Sequence, residues 1–178
     1  RALRESDLPA AAQAGDATAV ARLVDLGLPL NATDAQGCTA LLRACGGGHL
    51  GLVDQLLARG ADPELVARSG ATCLSAALSA RQDAVVRALL AHGARPEQAL
   101  PGGITPLIIA AALGQVGGLV ALLEQGADVR HCDEEDGTAL HAAAQFGFAA
   151  REKARVLALW DALLAAGGEP DARNSAGQ

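Results

Sequence analysis

The chain has 178 residues, 51% of them apolar, but 42 are Ala, three are aromatic and none is Met or Tyr. Ala buries little area per residue, so a globule of large side chains is not expected, and close-packed helices meeting through Ala and Gly are. The net charge of −6, with 13 Arg and only one Lys (Lys153), excludes sequence-independent binding to phosphate backbones or anionic lipid.

In chain order, the first element pair occupies residues 1–33. Ser6 and Leu8 open it, and Ala11, Gly15, Leu23, Gly27 and Asn31 keep the phase of the later pairs. Thr-x-Leu then recurs at Thr39, Thr72, Thr105 and Thr138, always 33 residues apart. Ala stands three residues after each Leu, and a Gly break stands at Gly27, Gly60, Gly93 and Gly126 with the same period. Two markers locked to one period define a repeat. Repeats fall at 1–33, 34–66, 67–99, 100–132 and 133–173 of a single domain, and 174–178 open a truncated sixth.

Within each repeat the residues predict helix, tight turn, helix and extended turn. Thr caps the first helix by accepting from free backbone N–H groups, and Pro106 fits the first helical position. Ala40 to Gly47 is such a helix, with Gly48, Gly114 and Gly147 as stops. Leu52, Val53, Leu56 and Leu57 are spaced for a second helix, which Gly60 ends. Turn residues fill Ala61 to Gly70. The next Gly break, Gly167, comes 41 residues after Gly126, so the fifth repeat carries eight extra residues, near 148–155. They predict an extension of its second helix by about two turns at the N-terminal end, roughly 12 Å at the helical rise. Trp160 stands where Val53 and Val86 stand earlier and reads as core filler. Asp136-Gly137 shifts the Gly that elsewhere precedes Thr by two, which predicts a turn of different shape. No helix pair can bury both faces alone, so the repeats stack as a solenoid.

The motifs Gly103-Ile104-Thr105-Pro106-Leu107, Ala110-Ala111, Leu122-Leu123 and Gly126-Ala127-Asp128 resemble the ankyrin repeat. Gly60-Ala61-Asp62-Pro63 and Asp136-Gly137-Thr138-Ala139-Leu140-His141-Ala142-Ala143 are similar to the same family, and the likeness covers about residues 6–178. The resemblance implies an all-α solenoid with β-turn fingers. It also implies partner binding along a concave side of finger tips and first helices. On that register the contact residues are Gln36, Cys38, Arg43, Arg68, Ser69, Ser79, Ile104, Ile109, Leu113, Glu134, Glu135, Gln145 and Phe146. Ile104, Ile109, Leu113 and Phe146 form an apolar strip beside an acidic finger. Arg151, Lys153 and Arg155, in the insertion, form the one basic cluster and a possible second surface.

Catalytic and metal motifs are missing from the sequence. His141 and His49 fit family positions that bond backbone between repeats, and His92 and His131 read as surface residues. No HExxH, Cys/His zinc spacing, GxSxG or P-loop occurs, so neither catalysis nor a cofactor or metal is expected. Asp133-Glu134-Glu135-Asp136 lacks the spaced ligands of a calcium loop and reads as a solvated turn. Cys38, Cys45, Cys73 and Cys132 form no CxxC pair and share no repeat position, so free thiols in a reducing compartment are expected.

The expected function is a protein–protein interaction module, a scaffold or regulatory arm of a larger protein. The alternatives are an inhibitor or delivered effector that blocks a partner enzyme, or the non-catalytic part of an enzyme. The expected partner is another protein, with no nucleic acid and no membrane insertion, since the longest apolar stretch, Ile104 to Leu113, is half a span. The expected state is a cytoplasmic monomer. Arg1 is no initiator Met and residues 174–178 begin a repeat, so a fragment of a continuing parent is expected. The Arg, Ala and Gly excess suggests a GC-rich, bacterial coding genome.

Overall fold

The computed structural model describes residues 3–150 and 152–177. Ten helices are present among them, and the nearest approach to β pairing is one isolated bridge, Thr33 to Thr39. The chain divides into two compact units, Arg1–Ala94 and Arg95–Gln178.

The N-terminal unit holds α1 (Asp7–Gln13), α2 (Ala17–Asp25), α3 (Ala40–Gly47), α4 (Leu50–Ala58), α5 (Cys73–Ser79) and α6 (Asp83–Ala91). First helices stack on one another, α1 on α3 and α3 on α5, while α4 stacks on α6 behind them. The C-terminal unit holds α7 (Pro106–Ala112), α8 (Val116–Glu124), α9 (Ala139–Ala150) and α10 (Lys153–Ala165). Here α7 stacks on α9 and α8 on α10.

The caps form as the sequence predicts. Thr39 Oγ1 accepts from Leu42 N at 3.2 Å, Thr72 Oγ1 from Ser75 N at 3.1 Å and Thr105 Oγ1 from Ile108 N at 3.4 Å. Ser75 Oγ in turn accepts from Thr72 N at 2.9 Å, a reciprocal capping box. Each cap contributes about 1 kcal/mol. In the fourth copy Thr138 turns to His141, whose Nδ1 lies 2.9 Å from the Thr138 hydroxyl.

The core lies between the helix layers of each unit. Leu41, Leu74 and Leu107 share one repeat position and are almost wholly buried, as are Ala44, Ala77, Ala110 and Ala143 beside them. Burial of each Leu contributes about 1.5–3 kcal/mol. The Ala positions have no exposed surface left, so a larger side chain there would push the helices apart.

Four expectations fail on local grounds. The extra residues of the fifth repeat do not all extend its second helix. Helix α9 has 12 residues against 7 in α7, and α10 has 13 against 9 in α8, so both partners lengthen. Gly147 does not stop α9 as Gly48 stops α3. It lies within the helix, where an added Cβ would come 3.0 Å from Val156 Cγ1. It serves close approach of two lengthened helices instead of chain reversal. The finger of the fifth repeat keeps its shape. Asp136 itself takes the left-handed position (φ 58) of Gly37 and Gly103, and its N–H closes the same turn on Asp133 O. Asp tolerates that region better than most side chains. Trp160 is not core filler: Leu159 and Leu163 fill the core and Trp160 stays half-buried.

Candidate protein-binding surface

In the N-terminal unit each finger begins with a backbone turn, Asp34 N to Cys38 O and Ala67 N to Ala71 O. The two fingers join through Arg68 N, which donates to Gln36 O at 2.9 Å. Gly37 permits this contact, because a Cβ there would lie 3.2 Å from Arg68 N at a φ of 76°. The fingers and α3 enclose a groove of about 600 Å³. It contains Gln36, Cys38, Arg43, Arg68 and Ser69, which the repeat register selects from the sequence, together with Ala35, Leu42 and Ala71.

Asp34 lies beside the groove and holds three of its residues, Gln36, Cys38 and Arg43. Its Oδ1 accepts from Gln36 N at 2.9 Å and Cys38 N at 3.0 Å. Its Oδ2 accepts from Arg43 Nε at 2.8 Å and Nη2 at 2.6 Å. Burial pushes the Asp34 carboxyl up, but the N–H groups of Cys38 and Gln36 and the Arg43 guanidinium outweigh it and hold it below its ordinary value. Arg43 Nη2 also donates to Gln36 Oε1 at 3.2 Å. Arg68 lies exposed at the rim, and its guanidinium has no ion pair among the described residues. Cys38 belongs to the floor and is only 7% exposed. Burial raises its thiol above the usual range, against the nearby Arg43. Ser79 is exposed at the end of α5 and does not line this groove.

The sequence register misses Leu42 in the groove and Asp34 beside it. Asp34 and Asp133 open their fingers 99 residues, three repeats, apart. Asp133 Oδ1 makes the same pair of bonds, to Glu135 N and Gly137 N. That recurrence is the signal by which the sequence marks Asp34.

In the C-terminal unit, Glu134 and Glu135 are exposed on the finger, and Glu134 N donates to Gly102 O. Ile104, Ile109 and Leu113 are half-buried. Phe146 is half-buried too, seated where a Cβ on Gly114 would collide with its ring, so it is partly inter-repeat packing. Gln145 is exposed and lines a second groove, of about 680 Å³, with Leu140, Ala144, Trp160 and Pro170. Lys153 and Arg155 are exposed, and Arg155 pairs with Glu152 at 2.9 Å. Arg151 lies outside the described residues.

His49 does bond between repeats, its Nε2 lying 3.0 Å from Gln13 O. His131 is not a plain surface residue. It is half-buried, with Nε2 at 2.9 Å from Gly103 O. The four cysteines are free thiols, but one inference from their spacing fails. Cys45 and Cys73 occupy different repeat positions and still meet, and a thiol hydrogen bond with Cys73 together with burial pushes the Cys45 thiol up. Among the described residues no three His, Cys, Asp or Glu cluster as a metal site, and no helix is long and apolar enough to cross a membrane.

A comparison with curated proteins finds no match. Family models described as ankyrin repeats (3 copies) and ankyrin repeats (many copies) match residues 8–99 and 107–151. The first spans half of the chain, over helices whose caps, turns and stacking have the period of 33. This chain belongs to the ankyrin repeat family.

Proposed function

We propose that the chain is a protein–protein interaction module, the scaffold or regulatory arm of a larger cytoplasmic protein, and that it binds through fingers and first helices. Ankyrin repeats are in general protein-interaction modules. The observation that carries the reading to a particular surface is the convergence of Gln36, Arg43, Arg68 and Ser69 on one groove. These residues come from two fingers and one helix and bring donors to an apolar floor, the composition that suits a protein contact. In the C-terminal unit the contact set is Ile104, Ile109, Leu113, Glu134, Glu135 and Gln145, with Phe146 shared between packing and contact.

The test is affinity capture on the immobilised chain, identification of retained proteins by mass spectrometry, and repetition with Gln36→Ala plus Ser69→Ala. A retained protein should bind the double variant at least about tenfold more weakly, the loss of about 1.4 kcal/mol expected of an interface anchor. Unchanged retention by that variant, with loss on Lys153→Glu, would move the contact to the lengthened helices of the fifth repeat.

A further inference from the structure

We propose that the groove of the N-terminal unit takes an acidic side chain of the partner protein, its carboxylate held at the rim by Arg68. This rests on the interaction-module reading above and names the chemistry of the contact.

Donors and acceptors in the groove are out of balance. Among the described residues no carboxylate lines the groove; the adjoining one, Asp34, has both oxygens used by four hydrogen bonds from Gln36 N, Cys38 N and Arg43. The Gln36 side-chain oxygen is taken by Arg43. The Ser69 hydroxyl accepts from Ala71 N at 3.4 Å. The acceptors are thus engaged from within. The donors are in surplus: the whole Arg68 guanidinium, and the Gln36 amide N–H₂, whose oxygen faces Arg43. Two cations, Arg43 and Arg68, line the groove; Arg43 is paired with the adjoining Asp34, so Arg68 leaves the groove locally positive in a chain of net charge −6.

Arg68 is also positioned. Its backbone N–H is fixed to Gln36 O, and its Cγ lies where a Cβ on Gly37 would approach within 3.1 Å. The stem therefore rests on the neighbouring finger, and the head is free to turn to a ligand. A planar guanidinium matches a carboxylate in two parallel bonds. Leu42, Cys38 and Ala71 supply a floor for a small apolar neighbour of the acidic residue.

The experiment titrates the labelled full chain with the capped peptide Ala-Ala-Glu-Ala-Ala and with its Gln counterpart, following backbone amides by NMR. The Glu peptide should shift the amides of Gln36, Arg68 and Ser69, and the Gln peptide should shift them at least about tenfold more weakly, the scale of a charge-assisted bond. Arg68→Gln should reduce the Glu-peptide response to that of the Gln peptide with an unchanged melting temperature. Raising the salt to about 0.5 M should weaken the Glu peptide alone. Equal response to both peptides, shifts elsewhere, or an Arg68→Gln titration like the parent's would overturn the proposal. Capture of a partner distinguishes the two readings. A partner retained equally by parent and Arg68→Gln, with no peptide effect, sinks the acidic contact and leaves the module reading. Peptide binding as described with no retained partner sinks the module reading instead.

Discussion

Arg81 takes a left-handed backbone position, φ 56, where Gly48 and Gly114 stand in other repeats. A side chain there costs about 1–2 kcal/mol against the right-handed region, and glycine escapes it. Arg81 is exposed, so little packing is lost on removing it. Glycine adds freedom to the unfolded chain, which offsets part of the gain. Arg81→Gly should therefore raise stability by up to about 1 kcal/mol, seen as a melting temperature about 2–4 °C higher in a chain of this length. A lower melting temperature would mean that Arg81 contributes contacts larger than its strain. Asp34 offers a second test. Its carboxyl is held below its ordinary value in the fold, so the ionised form is the one the fold stabilises. That contribution is complete above the unfolded value of about 3.9 and is lost as pH falls through the lower folded one. Asp34→Asn should lower the urea midpoint at pH 7, and the gap to the parent should narrow below about pH 4. A gap independent of pH would assign the loss to geometry alone.

At the scale of the helix, one repeat position appears in both covered and uncovered settings. Leu57 on α4 and Leu164 on α10 hold the same place relative to the next Gly break, three residues before Gly60 and Gly167. Leu57 is 8% exposed, in a helix that stacks on α6, whereas Leu164 is 40% exposed. Leu57→Ala should cost about 2–5 kcal/mol, as truncation in a core does. Leu164→Ala should cost under about 1 kcal/mol, since an exposed side chain leaves no cavity. Denaturant unfolding of the two variants measures both, and equal losses would show that Leu164 is covered in solution. The contrast between Leu57 and Leu164 also marks the reach of sequence. Thr39, Thr72, Thr105, the helix breaks and the paired helices are legible there because caps and turns are local chemistry at a fixed period. The groove residues Gln36, Arg43, Arg68 and Ser69 are legible only through the register. Trp160 misleads because sequence places a residue on a helix but does not say what lies above it. The shared lengthening of α9 and α10 is hidden because a Gly can either break a helix or let a neighbour approach. The meeting of Cys45 and Cys73 is hidden because stacked repeats bring unlike positions into contact.

Across the whole molecule the buried residues are unevenly spread, and that sets where the protein opens first. Helix α5 buries five of its seven residues, and α3 five of its eight. Helix α2 buries only Val20, and the 13 residues of α10 bury only Leu159 and Leu163. In repeat proteins stability is the sum of each repeat's own term and its contacts with neighbours. A helix with one or two buried side chains loses little when it detaches, so its amides exchange through local opening. Hydrogen exchange of the native chain should therefore deuterate α2 and α10 first, at least about tenfold faster than α3 and α5, a difference of about 1.4 kcal/mol in opening free energy. The fingers of residues 34–38 and 67–71 should share the protection of α3, because Thr39 and the Arg68 to Gln36 bond tie them to it. A protein ligand in the groove should raise the opening free energy there by up to RT ln(1 + [L]/Kd), slowing exchange by a factor of up to 1 + [L]/Kd, and leave α10 unchanged. Uniform exchange over α2, α3, α5 and α10 would show one cooperative opening and would remove the nearest-neighbour account. Slow exchange confined to α10 would place the strongest contacts of the chain on the lengthened pair, and the binding surface would then have to be sought beside Trp160.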